Sequence, residues 1–100
     1  MSTNFEMYDR RLREIRHLGQ RAVGWQFQFR AWPEIGITET QAWLRQLDDA
    51  EWIKDEYGRN YTVDEFLEAV EACANGQQRG LYGRDWRDAD GNTFCGAEFS

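Results

Sequence analysis

Between residues 5 and 18 the apolar positions Phe5, Tyr8, Leu12, Ile15 and Leu18 recur at spacings of three and four. That period marks one buried stripe of a helix, and Gly19 stands where such a helix would end. The period then changes. Val23, Trp25, Phe27, Phe29 and Ala31 alternate with Gly24, Gln26, Gln28 and Arg30, which predicts a long strand with an aromatic face turned to the core. Trp32-Pro33 closes it, because proline has no N–H to give to a ladder.

A second helix is predicted from Thr38. Its side chain and that of Gln41 stand three residues apart as a capping box, Ile37 and Ala42 form the hydrophobic staple across it, and Trp43, Leu44 and Leu47 follow at core spacing. Asp48 and Asp49 end the element. A hairpin comes next: E-W-I-K-D is one arm, D-E-Y-G a turn with Asp first and Gly last, and R-N-Y the return. Thr62 with Glu65 is a second capping box, flanked by Tyr61 and Phe66 as its staple, and the third helix runs through Leu67, Ala69, Val70 and Cys73 to Asn75-Gly76.

The hairpin's residues return 33 positions later: Asp55 and Asp88, Gly58 and Gly91, Tyr61 and Phe94, Glu65 and Glu98, Phe66 and Phe99. D-A-D-G is again a turn, with strand arms L-Y-G-R-D-W and N-T-F-C around it. Cys95 replaces the capping Thr and Gly96 weakens any helix, so the second copy keeps the turn without the cap. Asp88, Asp90 and Asn92 alternate as calcium ligands do, but Gly91 and Glu98 are misplaced for an EF-hand loop. The repeat therefore reads as a folding device, with Phe94 and Phe99 pinning the chain end to the core. Together these elements predict a single small α+β domain over residues 1–100, an antiparallel sheet of 3–5 strands packed against two or three helices.

Composition narrows the chemistry. Fifteen aromatics among 100 residues supply enough apolar area to offset chain entropy in one modest core. Cys73 and Cys95 are too few for a disulfide framework and read as reduced thiols. His17 is the only histidine, too little for a zinc site or a His-activated nucleophile. Phosphate-cradling, dinucleotide and nucleophile-elbow motifs are missing. The reading is a non-enzyme with no cofactor and no metal. Without a signal-peptide pattern or a run of 18 apolar residues, a cytoplasmic location is expected and membrane association is not.

The net charge of −6 is unevenly spread. Residues 1–30 carry six Arg against three acids, while residues 31–71 carry eleven acids against three bases. The basic segment is expected to lie against the acidic middle of the chain, and direct nucleic-acid binding is not expected from so acidic a protein. The acids form the candidate binding surface: Asp64, Glu65, Glu68 and Glu71 on the third helix, with Asp55, Glu56, Asp48 and Asp49 nearby in sequence. Such a surface suits a protein partner with a basic face. In size and composition the chain resembles the small, acidic, aromatic-rich accessory proteins of phages, plasmids and other mobile elements. The acidic block from Glu34 to Glu71 points to an inhibitor or adaptor of a larger machine, including nucleic-acid-handling, anti-defence-type machines. The alternative is a small-ligand or homodimeric module that uses surplus aromatics.

Overall fold

The computed structural model describes residues 2–8, 14–48, 50–78 and 85–96. Its centre is a seven-stranded sheet, larger than the 3–5 strands expected and mixed rather than antiparallel. The strands are β1 (Ser2–Tyr8), β2 (Glu14–Ala22), β3 (Gln28–Arg30), β4 (Trp52–Asp55), β5 (Asn60–Tyr61), β6 (Asp85–Arg87) and β7 (Thr93–Cys95). They lie in the order β5-β4-β1-β2-β3-β7-β6. Every neighbouring pair is antiparallel except β3 and β7, which run parallel with Phe29 beside Phe94.

The segment expected as an N-terminal helix is the antiparallel pair β1 and β2. Its true period is two: Phe5 and Met7 are buried while Asn4, Glu6 and Tyr8 are half-exposed. Register shifts between Phe5 and Glu6 and between Met7 and Tyr8 interrupt that alternation. They let Leu18 and its neighbour Gly19 both be buried, as bulges do. Of the residues in the expected stripe, Phe5 and Leu18 are buried and Tyr8 is half-exposed, so the spacing of three and four does not mark one buried face. Gly19 ends no helix. A Cβ there would lie 2.3 Å from the Gln28 carbonyl oxygen and 2.6 Å from a Phe27 ring carbon, so β2 and β3 approach as closely as they do only because the side chain is hydrogen. Leu12, with the rest of residues 9–13, lies outside the described residues.

The aromatic strand is shorter than its alternation suggests. Phe27, Phe29 and Ala31 are buried as expected, but Val23 is 91% exposed and Trp25 40% exposed. Val23 and Gly24 make the turn from β2, with Gly24 at φ 84°. After a single 3-10 turn at Pro33–Ile35 come two helices, α1 (Thr40–Leu47) and α2 (Val63–Ala72). Trp43 and Leu47 are buried and Leu44 is half-buried.

Both helices pack on one face of the sheet, where their buried residues join Phe5, Phe29, Ile53 and Phe94 in a single core. Its axis is a chain of rings. Phe5 lies 5.6 Å from Phe66 and 5.3 Å from Tyr61, Phe27 lies 5.4 Å from Phe66 and 4.9 Å from Phe29, and Phe29 stacks on Phe94 at 5.2 Å. Such pairs add about 0.5–1.5 kcal/mol each beyond the area they bury. The staple residues Tyr61 and Phe66 thus meet through Phe5, and Phe94 does tie the last strand to the core. Its expected companion Phe99, and Glu98, lie outside the described residues.

Among the described residues, the arginines of the first thirty positions, Arg16, Arg21 and Arg30, sit on strands, not on a helix face; Arg10, Arg11 and Arg13 lie outside the described residues. Several cover aromatic rings: Arg30 and Arg16 lie 4.1 Å and 5.5 Å from the Trp32 ring centre, and Arg21 lies 5.4 Å from that of Phe5. A planar guanidinium suits that contact, which accounts for part of the preference for Arg over Lys.

Candidate functional site

The two copies of the repeat fold into one loop, bond for bond. In the first, Asp55 Oδ1 accepts from the N–H groups of Tyr57 (2.9 Å) and Arg59 (3.0 Å). In the second, Asp88 Oδ1 accepts from Asp90 (3.1 Å) and Asn92 (2.9 Å). Backbone bonds match as well: Gly58 N–H donates to Asp55 O and Gly91 N–H to Asp88 O, both at 3.0 Å. Gly58 and Gly91 sit at φ 85° and 81°, the left-handed position that this turn needs and that glycine adopts freely.

The copies differ in what the second carboxylate oxygen does. Asp55 Oδ2 accepts from the Tyr61 hydroxyl (3.0 Å), closing the loop on itself. Burial first, and the Asp55 carboxylate second, raise the Tyr61 pKa above its ordinary value of 10.0. Asp88 Oδ2 reaches across the molecule to the first residue of α1, accepting from Thr40 N–H (2.7 Å) and from the Thr40 hydroxyl. Asn92 Nδ2 donates to the same hydroxyl (2.7 Å), and Trp86 Nε1 to Thr38 O (3.0 Å). The expected Thr38–Gln41 capping box is therefore not the cap of α1. Glu39 occupies the N-cap position without a side-chain bond, and the orphan N–H of Thr40 is satisfied from the β6–β7 loop.

At α2 the local cap forms as the sequence predicts. Thr62 Oγ1 accepts from Glu65 N–H (3.1 Å) and Glu65 Oε1 from Thr62 N–H (2.9 Å). These two bonds, the backbone one foremost, hold the Glu65 carboxyl below its usual pKa. Beyond the cap, Asp64, Glu68 and Glu71 are exposed at spacings of four and three, which puts them on one stripe of the helix. The stripe at Val63, Phe66, Leu67 and Val70 packs on the core.

The remaining acids lie elsewhere. Asp55 is 8% exposed and turned into its own loop. Glu56 is exposed, but its Oε1 takes the Asn4 N–H (2.8 Å) beside the backbone bond from Glu56 N–H to Asn4 O (2.9 Å), so it extends the pairing of β4 with β1. Asp48 is the exposed C-cap of α1, and Asp49 lies outside the described residues. Of the candidate acids, the structure brings Asp64, Glu65, Glu68 and Glu71 together on α2.

Beside that stripe is a cleft of about 400 Å³, open to solvent between α2, the segment after β2 and the β6–β7 loop. Phe27, Leu67 and Val70 line it with apolar atoms, and Glu71 and Asp90 bring carboxylates to it from different elements. Gln26 braces one wall, its Nε2 donating to Ala74 O (3.0 Å). The sequence carried no direct signal for this cleft. In sequence Asp90 reads only as a calcium candidate, and the wall it forms depends on a loop closing 48 residues from its partner at Thr40. Among the described residues no group of three or more His, Cys, Asp or Glu is placed to hold a metal ion, and no helix is long and apolar enough to cross a membrane. No protein-family model, curated protein or solved structure matches the chain.

Proposed function

We propose that this protein is a non-enzymatic binding module that docks a basic protein surface through α2, and so acts as an inhibitor or adaptor of a larger machine. The observation that carries the reading is the exposed stripe of Asp64, Glu68 and Glu71 on a helix whose opposite side is anchored by the fully buried Phe66. A rigid, pre-capped helix presents its charges at little ordering cost, and one-signed charge on such a face steers an oppositely charged partner. Arginine- or lysine-lined grooves, including those that normally hold nucleic acid, have the complementary chemistry. Neither Cys73 nor Cys95 is in a disulfide, which fits a reducing, cytoplasmic setting.

The test is capture of the partner from the native host by the tagged protein, followed by dissociation at rising salt. Binding should weaken steeply between about 50 and 500 mM salt, as exposed charge pairing requires. The triple variant Asp64→Lys, Glu68→Lys, Glu71→Lys should lose it. Capture that survives both treatments refutes the proposal. A second reading is favoured by the exposed apolar residues Val23, Trp25, Ile35, Trp52 and Tyr57: self-association through aromatic surface. A monomeric mass in sedimentation at high protein concentration counts against it.

A further inference from the structure

We infer that the cleft beside α2 is the anchor pocket for one arginine side chain of that basic partner. The inference rests on the docking reading above and adds to it where the partner's tightest contact falls. Glu71 belongs both to the acidic stripe and to the cleft lining, so the docking face runs into the pocket without a break. The pocket's apolar atoms come from Phe27, Leu67 and Val70, and its two carboxylates from Glu71 and Asp90; among the described residues that line it, none is Lys or Arg.

An occupant must therefore combine an apolar stem with a cationic head. Arginine does both, laying its methylenes on apolar surface while a planar fork of donors spans acceptors from separate elements. Lysine offers the stem but only a compact, strongly hydrated charge. The Asp90 wall is pre-organised, because its own N–H is held by Asp88 Oδ1 (3.1 Å) and Asp88 in turn is bonded to Thr40. In the first copy of the loop the position equivalent to Asp90 is Tyr57, 67% exposed and with no part in the cleft. At this one position the loop thus carries an acid only in the copy that borders the pocket.

The probes are hexa-arginine and hexa-lysine peptides, titrated into the isotopically labelled full chain at low salt and followed by amide chemical shifts. Hexa-arginine should perturb Leu67, Val70, Glu71, Ala74, Gly91 and Asn92 saturably and bind several-fold more tightly than hexa-lysine. Asp90→Asn, at an exposed loop tip, and Val70→Trp, which fills the cleft and keeps its charges, should each weaken hexa-arginine by about tenfold. Asp64→Asn should cost about twofold or less, as a rim charge does. Unchanged amide dispersion shows that each variant folds. Hexa-arginine binding confined to the Asp64–Glu68 side, indifferent to Asp90→Asn and Val70→Trp, overturns the pocket and leaves the docking reading standing. No saturable response to either peptide overturns both.

Discussion

Replacing Asp88 by alanine removes the acceptor for donors in two distant parts of the chain. On one side are the loop N–H groups of Asp90 and Asn92; on the other are the N–H and hydroxyl of Thr40. The Asp90 N–H is exposed and can turn to water while the Asn92 N–H is part-buried, so each costs about 0.5–1 kcal/mol. The Thr40 groups are part-buried at a helix start, where losing a cap costs about 1–2 kcal/mol and a bond to a charged acceptor is worth roughly twice a neutral one. The total is about 3 kcal/mol, a large share of the 5–15 kcal/mol typical of a domain. That should lower Tm by roughly 10–20 °C for a chain of this size. Asp88→Asn separates the two sides. Its carbonyl can still serve Asp90 and Asn92, but it turns an amide donor toward the Thr40 N–H, so about half the loss should remain. Thr40→Val, which keeps the N–H, should cost about 1 kcal/mol. Urea unfolding followed by far-ultraviolet circular dichroism measures all three. An Asp88→Ala variant within 0.5 kcal/mol of wild type, or an asparagine as costly as the alanine, would refute the idea that Asp88 caps α1.

Gly19→Ala should destabilise by about 2 kcal/mol or more through overpacking, since its Cβ meets a backbone oxygen and a buried ring; an unchanged denaturation midpoint would show that β2 and β3 can part at no cost. Tyr61 has a raised pKa in the folded state, so its contribution is full below pH 10 and fades as pH rises through the folded value. The stability advantage of wild type over Tyr61→Phe should therefore shrink above pH 10, and a constant gap would place the hydroxyl outside the Asp55 bond. Glu65 is shifted the other way; its contribution holds above its ordinary carboxyl range and is lost as pH falls through the lower folded value. Wild type should lose ground to Glu65→Gln, which keeps the box without titrating, as pH drops below that range, and parallel acid-unfolding curves would contradict this.

What could be read from the residues was local chemistry. The Asp-x-x-Gly turns, the Thr62–Glu65 box, and the burial of Trp43, Leu47, Phe27 and Phe29 each depend on neighbours a few positions away, and each was legible. The β1–β2 pair was not legible because its buried residues Phe5, Met7 and Leu18 belong to two strands whose register shifts break a clean alternation. The Thr38–Gln41 pattern was a sound box in sequence that lost to a better acceptor 48 residues away. Likewise Asp55 resembles Glu56 on paper, and only the Tyr61 hydroxyl and the loop N–H groups show that it serves the fold. The acids of α2 were legible as a stripe, but the cleft beside them was not, because its walls come from three separate stretches of chain.

The parallel pairing of β3 with β7 sets the order in which this chain can fold. Phe29 pairs with Gly19 on one side but gains its β7 neighbour and stacking partner only when Phe94 arrives, and the start of α1 waits on Asp88. Contacts this distant in sequence slow folding, because loop-closure entropy is lost before any contact repays it. During synthesis, a chain extended only as far as residue 78 would hold β3 as an open edge, with the side of the Phe29 ring that faces Phe94 uncovered. That is the surface chaperones recognise and neighbouring nascent chains pair with. Completion is thus withheld until the last hairpin emerges, and a ribosome stalled before Thr93 would carry an aggregation-prone intermediate in place of a smaller stable domain.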